Sequence, residues 1–411
     1  MKKVLIITYF FPPANCIASQ RFATMCRYFE EYGYEPYILT TASLSQTYMR
    51  ADLENYTPEN RIIRIGRLGH PYACTSISTN MICQYIEKKG LHTNTFLYSS
   101  MGWYEKVKRE LDMSLLSEID IVIGSFPPIA PLLLAKYISD KIHCPYIVDM
   151  RDAMIEYPDH AGSHKNCYIM DTAMERFVYK DAAAIIPVGR EFCKQLKERY
   201  PRKAFEVVYN GWEKYEGDVR ETYTEGKYLY YAGTIYEHRF ECLKLIFMAL
   251  KNVGKDMDIK MYIRSTGPQE IDHKIKCLIE EEGLQERVFL MAAADRGVVD
   301  AEQKKAYINV ILNTISEDNE YMMSAVTGKI FENIQASPPV LAISPRGSTI
   351  SKILDQTEKG IAVNAVSEIE SFIREPHGYN GKKSAINFYS RKNQAHIYCS
   401  IIDEILEGKL R

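Results

Sequence analysis

The chain has 411 residues, which is long for one domain and typical of two. Its composition is that of an ordinary globular protein, and its formal net charge of -2 gives no reason to expect nucleic acid as a partner. The ten cysteines include no CxxC pair, which favours free thiols over a disulfide framework or a zinc site. The N-terminal apolar run is too short for a signal peptide, and no run is long enough to cross a membrane, so we expect a cytoplasmic protein.

In the first half, short runs of β-branched or aromatic residues alternate with amphipathic segments. This alternation is typical of a parallel sheet covered on both faces by crossover helices. We take Ser19 as a candidate cap of the first helix and Arg21 as a candidate solvated residue of its first turn. The predicted strands are 4–10, 36–40, 61–65, 119–124, 146–149 and 183–188, and the predicted helices include 19–32, 131–142 and 190–200.

The same alternation restarts after a polar, glycine-containing stretch. We therefore predict a first domain at 1–208, a linker at 209–226, a second domain at 227–385 and a C-terminal helix at 386–411 that could pack back on the first domain. The last 25 residues are expected to form a single helix. The strands predicted for the second half are 227–232, 259–263, 287–291, 308–313, 338–343 and 360–364, with helices at 239–253 and 269–282.

Three loops in the first half follow strands directly, and ligands of open α/β sheets bind at such loops. FFPPANCIASQRF (10–22) and SFPPIAP (125–131) both carry paired prolines, which end a strand and which we interpret as structural. DMRDAMIEYPD (149–159) places Asp149, Arg151 and Asp152 together. These three residues form either an internal ion-pair network or a set of groups that hold hydroxyls or a leaving phosphate.

The second half contains three basic residues in comparable loops. Arg239 follows AGTIYEH at the start of a helix, and Arg264 begins a loop with a Gly-Pro turn. Thr327, Gly328 and Lys329 immediately precede another amphipathic helix, where free amides and a cationic side chain favour an anion. This pattern predicts an anion-binding site in the second domain, with all five residues as candidate ligands. His160 and His164 have a spacing that would suit two metal ligands on a helix, but they stand in a loop-like context, and we expect no metal site.

The order of these motifs resembles that of family 4 glycosyltransferases and their relatives with the GT-B fold, which build bacterial surface polysaccharides. The similar segments are KVLIITYFFPP, IDIVIGSFPP, PYIVDMRD, YYAGTIYEHR and TGKIFENIQASPPVLAI, spread over nearly the whole chain. The resemblance implies two Rossmann-like doubly wound domains facing an interdomain cleft. It also implies retaining transfer of a sugar from a nucleotide sugar, bound by the second domain, to a glycan or lipid-linked acceptor, bound by the first.

The resemblance also assigns roles in the second domain. Arg239 and Lys329 resemble the basic pair that neutralises the donor diphosphate, and Thr327 and Gly328 would supply backbone donors. Glu332 resembles the glutamate that binds the ribose. The donor is a substrate, and the resemblance implies neither a cofactor nor a metal.

In the first domain, Asp149, Arg151 and Asp152 match a DxRD element on the acceptor side, but Ala153-Met154 follow it where relatives have proline or leucine and tryptophan. Ala14-Asn15-Cys16 replace a glycine pair of the family.

Two further positions depart from the family. Ser125 stands near the place of a histidine of the catalytic region. Ser324 replaces the first of two glutamates, for which Glu317 or Glu320 could substitute.

Other interpretations remain open at this stage. A GT-B epimerase or phosphorylase would share the donor loops, although a phosphorylase would need a phosphate or cofactor-lysine site that we do not find. A sugar-nucleotide-binding protein without catalysis and a periplasmic-type binding protein are further alternatives. The basic and aromatic segment 85–109 is either an ordinary amphipathic helix or a surface that meets a lipid-linked acceptor at the inner face of the membrane.

Overall fold

The computed structural model describes residues 1–14, 17–42, 56–66, 100–155, 165–217 and 222–410. The chain forms two compact units, each built around its own parallel sheet. The first unit comprises residues 1–210 and 391–411, and the second comprises residues 211–390. The C-terminal segment therefore belongs to the first unit although it follows the second in sequence.

Each unit contains a six-stranded sheet, and each predicted strand is present with boundaries that differ by a few residues. The first sheet has the order β3-β2-β1-β4-β5-β6 and the second the order β12-β11-β10-β7-β8-β9. Counted from the first strand of its own unit, each sheet has the doubly wound order 3-2-1-4-5-6, which confirms the predicted fold class. The strands are β1 (Lys2–Ile7), β2 (Tyr34–Thr41), β3 (Ile62–Ile65), β4 (Ile121–Phe126), β5 (Tyr146–Met150), β6 (Ala184–Pro187), β7 (Tyr228–Gly233), β8 (Lys260–Ser265), β9 (Val288–Met291), β10 (Ile308–Leu312), β11 (Val340–Ile343) and β12 (Gly360–Val363).

Helices cover the sheets because the strands are apolar on both faces and must be shielded from water. In the first unit, Phe22 and Phe29 pack their rings against Tyr398 of the C-terminal helix, each with ring centroids 5.9 Å apart. The α-helices of the described residues are α1 (Ile17–Phe29), α2 (Met101–Glu110), α3 (Ala130–Ile142), α4 (Lys165–Tyr179), α5 (Arg190–Arg199), α6 (Phe240–Val253), α7 (Gln269–Glu281), α8 (Arg296–Lys305), α9 (Glu320–Ser324), α10 (Lys329–Gln335), α11 (Thr349–Thr357), α12 (Val366–Arg374), α13 (Lys383–Phe388) and α14 (Arg391–Leu406).

The prediction of a single terminal helix is wrong, because α13 and α14 are separated at Tyr389 and Ser390. The Tyr389 carbonyl accepts a hydrogen bond of 2.9 Å from the Trp212 amide, and the Tyr389 hydroxyl donates to Gln356 at 2.8 Å. These contacts bind Tyr389 to the second unit, and the chain enters the first unit directly afterwards. The predicted cap at Ser19 is also wrong, since α1 begins at Ile17 and Ser19 is buried within it.

Gly124 lets α3 lie unusually close to β4. A Cβ atom on residue 124 would lie 2.7 Å from the Pro131 carbonyl oxygen and 2.8 Å from the Cβ atom of Ala135. Both distances are shorter than van der Waals contact, so a side chain at residue 124 would push the helix away from the sheet.

Arg21 and Asp149 form a buried ion pair in the first unit, so the prediction of a solvated Arg21 is wrong. Arg21 Nη2 donates to Asp149 Oδ1 at 2.7 Å, and the two side chains are 2% and 0% exposed. Ser125 donates to the other carboxylate oxygen at 2.9 Å. The guanidinium also donates to the carbonyls of Val208 and Tyr209, so the pair connects α1 and β5 to the last residues before the second unit.

We expect Gly124→Ala to lower the free energy of unfolding by about 1–3 kcal/mol, because the added methyl group overpacks the contact between strand and helix. Urea-induced unfolding of the two proteins measures the difference. Gly267→Ala is the control, since the nearest atom to its Cβ would be the Ser265 hydroxyl oxygen at 3.3 Å, which is farther away than either contact at residue 124. Equal loss of stability in both variants would contradict the prediction.

We expect Arg21→Met to cost about 3–5 kcal/mol of stability, because Asp149 would keep a buried charge without its counter-ion. Lys2→Met is the control, since it breaks an exposed pair with Asp403 in the same unit. That change should cost less than about 1 kcal/mol. The melting temperatures of the two variants give the comparison, and similar values would show that Arg21 is not required for the core.

Candidate functional site

The candidate site of the second unit lies at the carboxyl ends of β7 and β10. These strands are neighbours at the centre of the sheet, and the chain connections leave them in opposite directions. Such a switch point opens a crevice beyond the strand ends, where open α/β sheets bind their ligands. The loop after β7 leads to Arg239, and the segment after β10 leads through α9 to Lys329.

Lys329 begins α10 and lies directly against the end of β7. A Cβ atom on Gly233 would be 2.7 Å from the Lys329 ammonium nitrogen, and Gly233 has a φ of +128°, which side chains rarely adopt. The ammonium nitrogen also lies 5.6 Å from the centre of the Tyr231 ring. Lys329 therefore lies over the strand end, in a space that a side chain at residue 233 would occupy.

Arg239 provides the second cation, at the end of the loop that follows β7. Its guanidinium lies 5.2 Å from the centre of the Tyr236 ring. The Nε atom of Arg239 is buried and has no hydrogen-bond partner within the described residues. A buried donor of this kind favours binding of a ligand that offers an acceptor group, because a buried donor without a hydrogen bond costs free energy.

The two cations influence each other. Burial and the repulsion of Arg239 lower the pKa of Lys329 from its usual 10.5 to about 8, although the nearby Glu332 carboxylate opposes the change. A lysine with this pKa is stabilised in its charged form when an anion binds beside it. The site is thus electrostatically suited to a phosphate or diphosphate.

Three further candidate ligands lie on the same segment as Lys329. Thr327, Gly328 and Glu332 are all partly buried. Gly328 precedes the first residue of α10 and has helical dihedral angles, and α10 itself has only seven residues. Amides in the first turn of a helix lack partners within that helix, and those of Gly328 and Lys329 can therefore face a ligand.

Ser324, which stands where the resemblance implies a glutamate, is buried and held in place by hydrogen bonds. Its hydroxyl donates to the Tyr321 carbonyl at 3.0 Å, and Thr349 donates to the Ser324 carbonyl at 3.0 Å. Glu317 and Glu320 are exposed nearby in sequence. The substitution of either for the missing glutamate stays a prediction.

Arg264, the remaining donor-binding candidate, forms a buried ion pair rather than facing solvent. Its Nη2 and Nε atoms donate to the two carboxylate oxygens of Glu302 at 2.7 Å and 2.9 Å. Its third nitrogen donates to the Ala292 carbonyl at 3.0 Å. Direct donor binding by Arg264 stays a prediction, and the contacts that the structure shows for this residue are internal.

In the first unit, Arg151 connects its own loop after β5 to the two proline loops. It donates to the carbonyls of Phe126 and Ala18 at 3.1 Å, and to the Pro127 carbonyl. These atoms belong to the second proline loop and to the start of α1, which follows the first. Both loops leave strands that meet at the switch point between β1 and β4. These hydrogen bonds bring the three loops together within the first unit.

Asp149 and Asp152 differ in their surroundings. Asp149 is fully buried in its pair with Arg21, which matches the internal ion-pair network that the sequence left open. Asp152 is partly exposed. Catalytic roles for Asp149, Arg151 and Asp152 stay predictions, and Asp152 is the carboxylate of the two that a ligand can reach.

Some predictions fall on residues outside the described ranges. Asn15, Cys16, His160, His164 and the part of segment 85–109 that precedes residue 100 belong to this group. In the described part of the chain, no cluster of three or more His, Cys, Asp or Glu side chains suits a metal ion. Nor does any helix there combine the length and apolar character needed to span a bilayer.

Sequence reasoning missed three residues that shape these sites. Gly233 has a usable signal, since a glycine directly after an apolar strand often marks close approach by another group. Glu302 and Arg21 have none, because both stand in amphipathic helices where a charged residue is usually solvated. Only the fold shows that their partners lie 38 and 128 residues away.

No protein-family model and no curated protein matches the sequence. Solved structures are similar in fold over almost the full length. Sucrose-phosphate synthase from Thermosynechococcus elongatus has a TM-score of 0.69 at 12% identity, covering 99% of this chain and 100% of that one. HepE from Anabaena, in complex with UDP and glucose, has a TM-score of 0.61 at 10% identity, with 98% and 100% covered. A putative UDP-N-acetylglucosamine 2-epimerase from Listeria monocytogenes has a TM-score of 0.55 at 14% identity, with 99% and 98% covered.

Identities this low show the fold and nothing finer. The similarity extends over both doubly wound sheets of this chain, since it covers 98–99% of the chain in these comparisons. The chain therefore has the GT-B fold.

Proposed function

We propose that the chain is a glycosyltransferase that moves a sugar from a nucleotide-sugar donor to a glycan or lipid-linked acceptor. The observation that carries the proposal is the pair of cations at the switch point of the second unit, with Lys329 fitted against Gly233. Two positive groups beside a strand end suit the diphosphate of a nucleotide sugar, which is already negative and gains further negative charge when it departs. The GT-B fold supports the same class of reaction, because HepE with this fold holds UDP and glucose.

The proposed reaction breaks the bond between the anomeric carbon and the diphosphate oxygen, and forms a bond from that carbon to an acceptor hydroxyl. Arg239 and Lys329 stabilise the negative charge that develops on the leaving diphosphate. Thr327 and Gly328 supply backbone amides to it, and Glu332 holds the ribose hydroxyls. In a retaining, front-face mechanism the departing phosphate oxygen itself accepts the acceptor proton, so no separate base is needed.

The acceptor is proposed to bind to the first unit near the loops that Arg151 holds together. Asp152 is the carboxylate there that a hydroxyl group can approach. We place the protein in the cytoplasm, with a role in surface polysaccharide synthesis and contact with the inner face of the membrane where the acceptor is lipid-linked. The putative 2-epimerase with the same fold makes epimerisation the second candidate.

One experiment separates these functions. Purified protein is first tested against a panel of sugar nucleotides by thermal shift, since a ligand that binds the folded state raises the melting temperature. The stabilising donor is then incubated with and without glycan acceptors. A transferase releases the nucleoside diphosphate when an acceptor is present, whereas an epimerase converts the sugar without releasing it. Binding without either product would favour a protein that has lost catalysis.

We expect Lys329→Ala to reduce kcat/KM for the donor by at least about 100-fold, because one of the two cations that neutralise the leaving diphosphate is lost. The variant should remain folded, since an alanine at this position removes a partly buried charge. Lys251→Ala is the matched control, because Lys251 forms an exposed ion pair with Glu282 in the same unit. Transfer at a near-normal rate by the Lys329 variant would contradict the assignment.

The pH dependence of donor binding provides a second check. Lys329 has a pKa of about 8 in the free protein, and a bound diphosphate raises this pKa because opposite charge favours the ammonium form. Binding above pH 8 therefore takes up a proton, and donor affinity should fall about tenfold per pH unit there while staying level below pH 7. Calorimetry at pH 9 in buffers of different ionisation enthalpy should detect nearly one proton taken up by the wild type. If Lys329→Ala takes up as many protons as the wild type, Lys329 is not the group that is protonated on binding.

A further inference from the structure

We propose that the buried pair of Arg264 and Glu302 positions the loop after β9 to receive the nucleoside part of the donor. This inference rests on the proposed function, since it concerns the same ligand. It assigns Arg264 a positioning role in place of direct contact with the diphosphate. The argument begins with how completely the pair is satisfied.

Every hydrogen-bonding atom of the Glu302 carboxylate is used. Arg264 donates to both oxygens, Tyr230 donates to one at 2.9 Å, and the Tyr223 amide donates to the other at 3.2 Å. Glu302 is 0% exposed and Arg264 is 7% exposed. A buried pair with this many hydrogen bonds has a fixed geometry, because any other orientation would leave a charge without partners.

The remaining nitrogen of the guanidinium reaches out of this network to the loop. Arg264 Nη1 donates to the Ala292 carbonyl, the first residue after β9. Ala292 and Ala293 are exposed, and the loop continues through Ala294 to Asp295, where α8 begins its first turn. α8 also carries Glu302, so one ion pair connects β8, the loop after β9 and the helix that follows the loop.

The loop is placed where a nucleoside would reach it. β9 is two strands from β7 in the sheet, and neighbouring strands lie about 4.8 Å apart, so the loop is about 10 Å from the cations along the carboxyl edge. That separation corresponds to the extension of a ribose and base from their diphosphate. Alanine side chains offer a base only methyl groups, and its polar edges would have to be met by backbone amides and carbonyls. Recognition of the base by backbone groups depends on where the loop after β9 lies. Arg264 sets the position of that loop through its hydrogen bond to the Ala292 carbonyl.

The test compares two probes that share the diphosphate. Inorganic pyrophosphate requires only the cations, whereas a nucleoside diphosphate also requires the loop. Calorimetry first identifies which of UDP, GDP, ADP and dTDP the wild type binds most tightly. The variant of choice is R264M/E302M, because removing Arg264 alone would leave Glu302 charged and buried and would endanger folding.

We expect the double variant to lose at least tenfold in affinity for the chosen nucleotide while its affinity for pyrophosphate changes less than twofold. Hydrogen exchange of the ligand-free protein should be faster in residues 288–296 of the variant. Arg287→Met is the matched control, because Arg287 donates to the Gly254 carbonyl in the same unit and should leave both affinities unchanged.

Each other outcome overturns the inference in a distinguishable way. Unchanged nucleotide affinity in the double variant shows that the pair does not position a binding loop. A parallel loss for both probes shows general damage to the unit. A wild type that binds pyrophosphate as tightly as every nucleotide overturns the nucleoside role but leaves the anion site standing. A wild type that binds neither probe overturns the proposed function itself.

Discussion

A charge removed from water needs a partner, and each unit of this protein contains a buried ion pair that connects several of its elements. Arg21 and Asp149 connect α1, β5 and the end of the first unit, whereas Arg264 and Glu302 connect β8, the loop after β9 and α8. In both pairs the arginine bonds the carboxylate with two of its nitrogens and donates to backbone carbonyls with the rest. The guanidinium is suited to this task because its planar group presents several donors in fixed directions.

These pairs explain which parts of the site the sequence could predict. Parallel strands that are buried on both faces appear as continuous apolar runs, so all six strands of each sheet could be recognised, although their order in the sheet was not predicted. Arg239 and Lys329 could be chosen as candidates because both stand near the start of a helix beyond a strand end, and their roles as donor ligands stay predictions. Asp149 and Arg264 also stand at strand ends, and nothing local distinguishes a charge that faces a ligand from one that faces a distant partner. The structure distinguishes the two cases, because it shows that Asp149 and Arg264 are buried. Their burial depends on contacts with residues that are far away in sequence.

The break between α13 and α14 also depends on a contact between residues that are far apart in sequence. The sequence predicts one helix over residues 386–411, whereas α13 ends at Phe388 and α14 begins at Arg391. Trp212 pairs with the backbone of Tyr389 and interrupts it, at the point where the chain passes from one unit to the other. Trp212 and Tyr389 are 177 residues apart in the sequence. The end of the helix is therefore set by a contact that local sequence does not show.

The fit of Lys329 against Gly233 has a consequence for how such a protein can evolve. A side chain at residue 233 would overlap the present position of the Lys329 ammonium group, so a substitution at 233 requires the lysine side chain to move. The effect of a change at one of these two positions therefore depends on the residue at the other. We expect the two positions to be epistatic, with the lysine most favourable in sequences that keep the glycine.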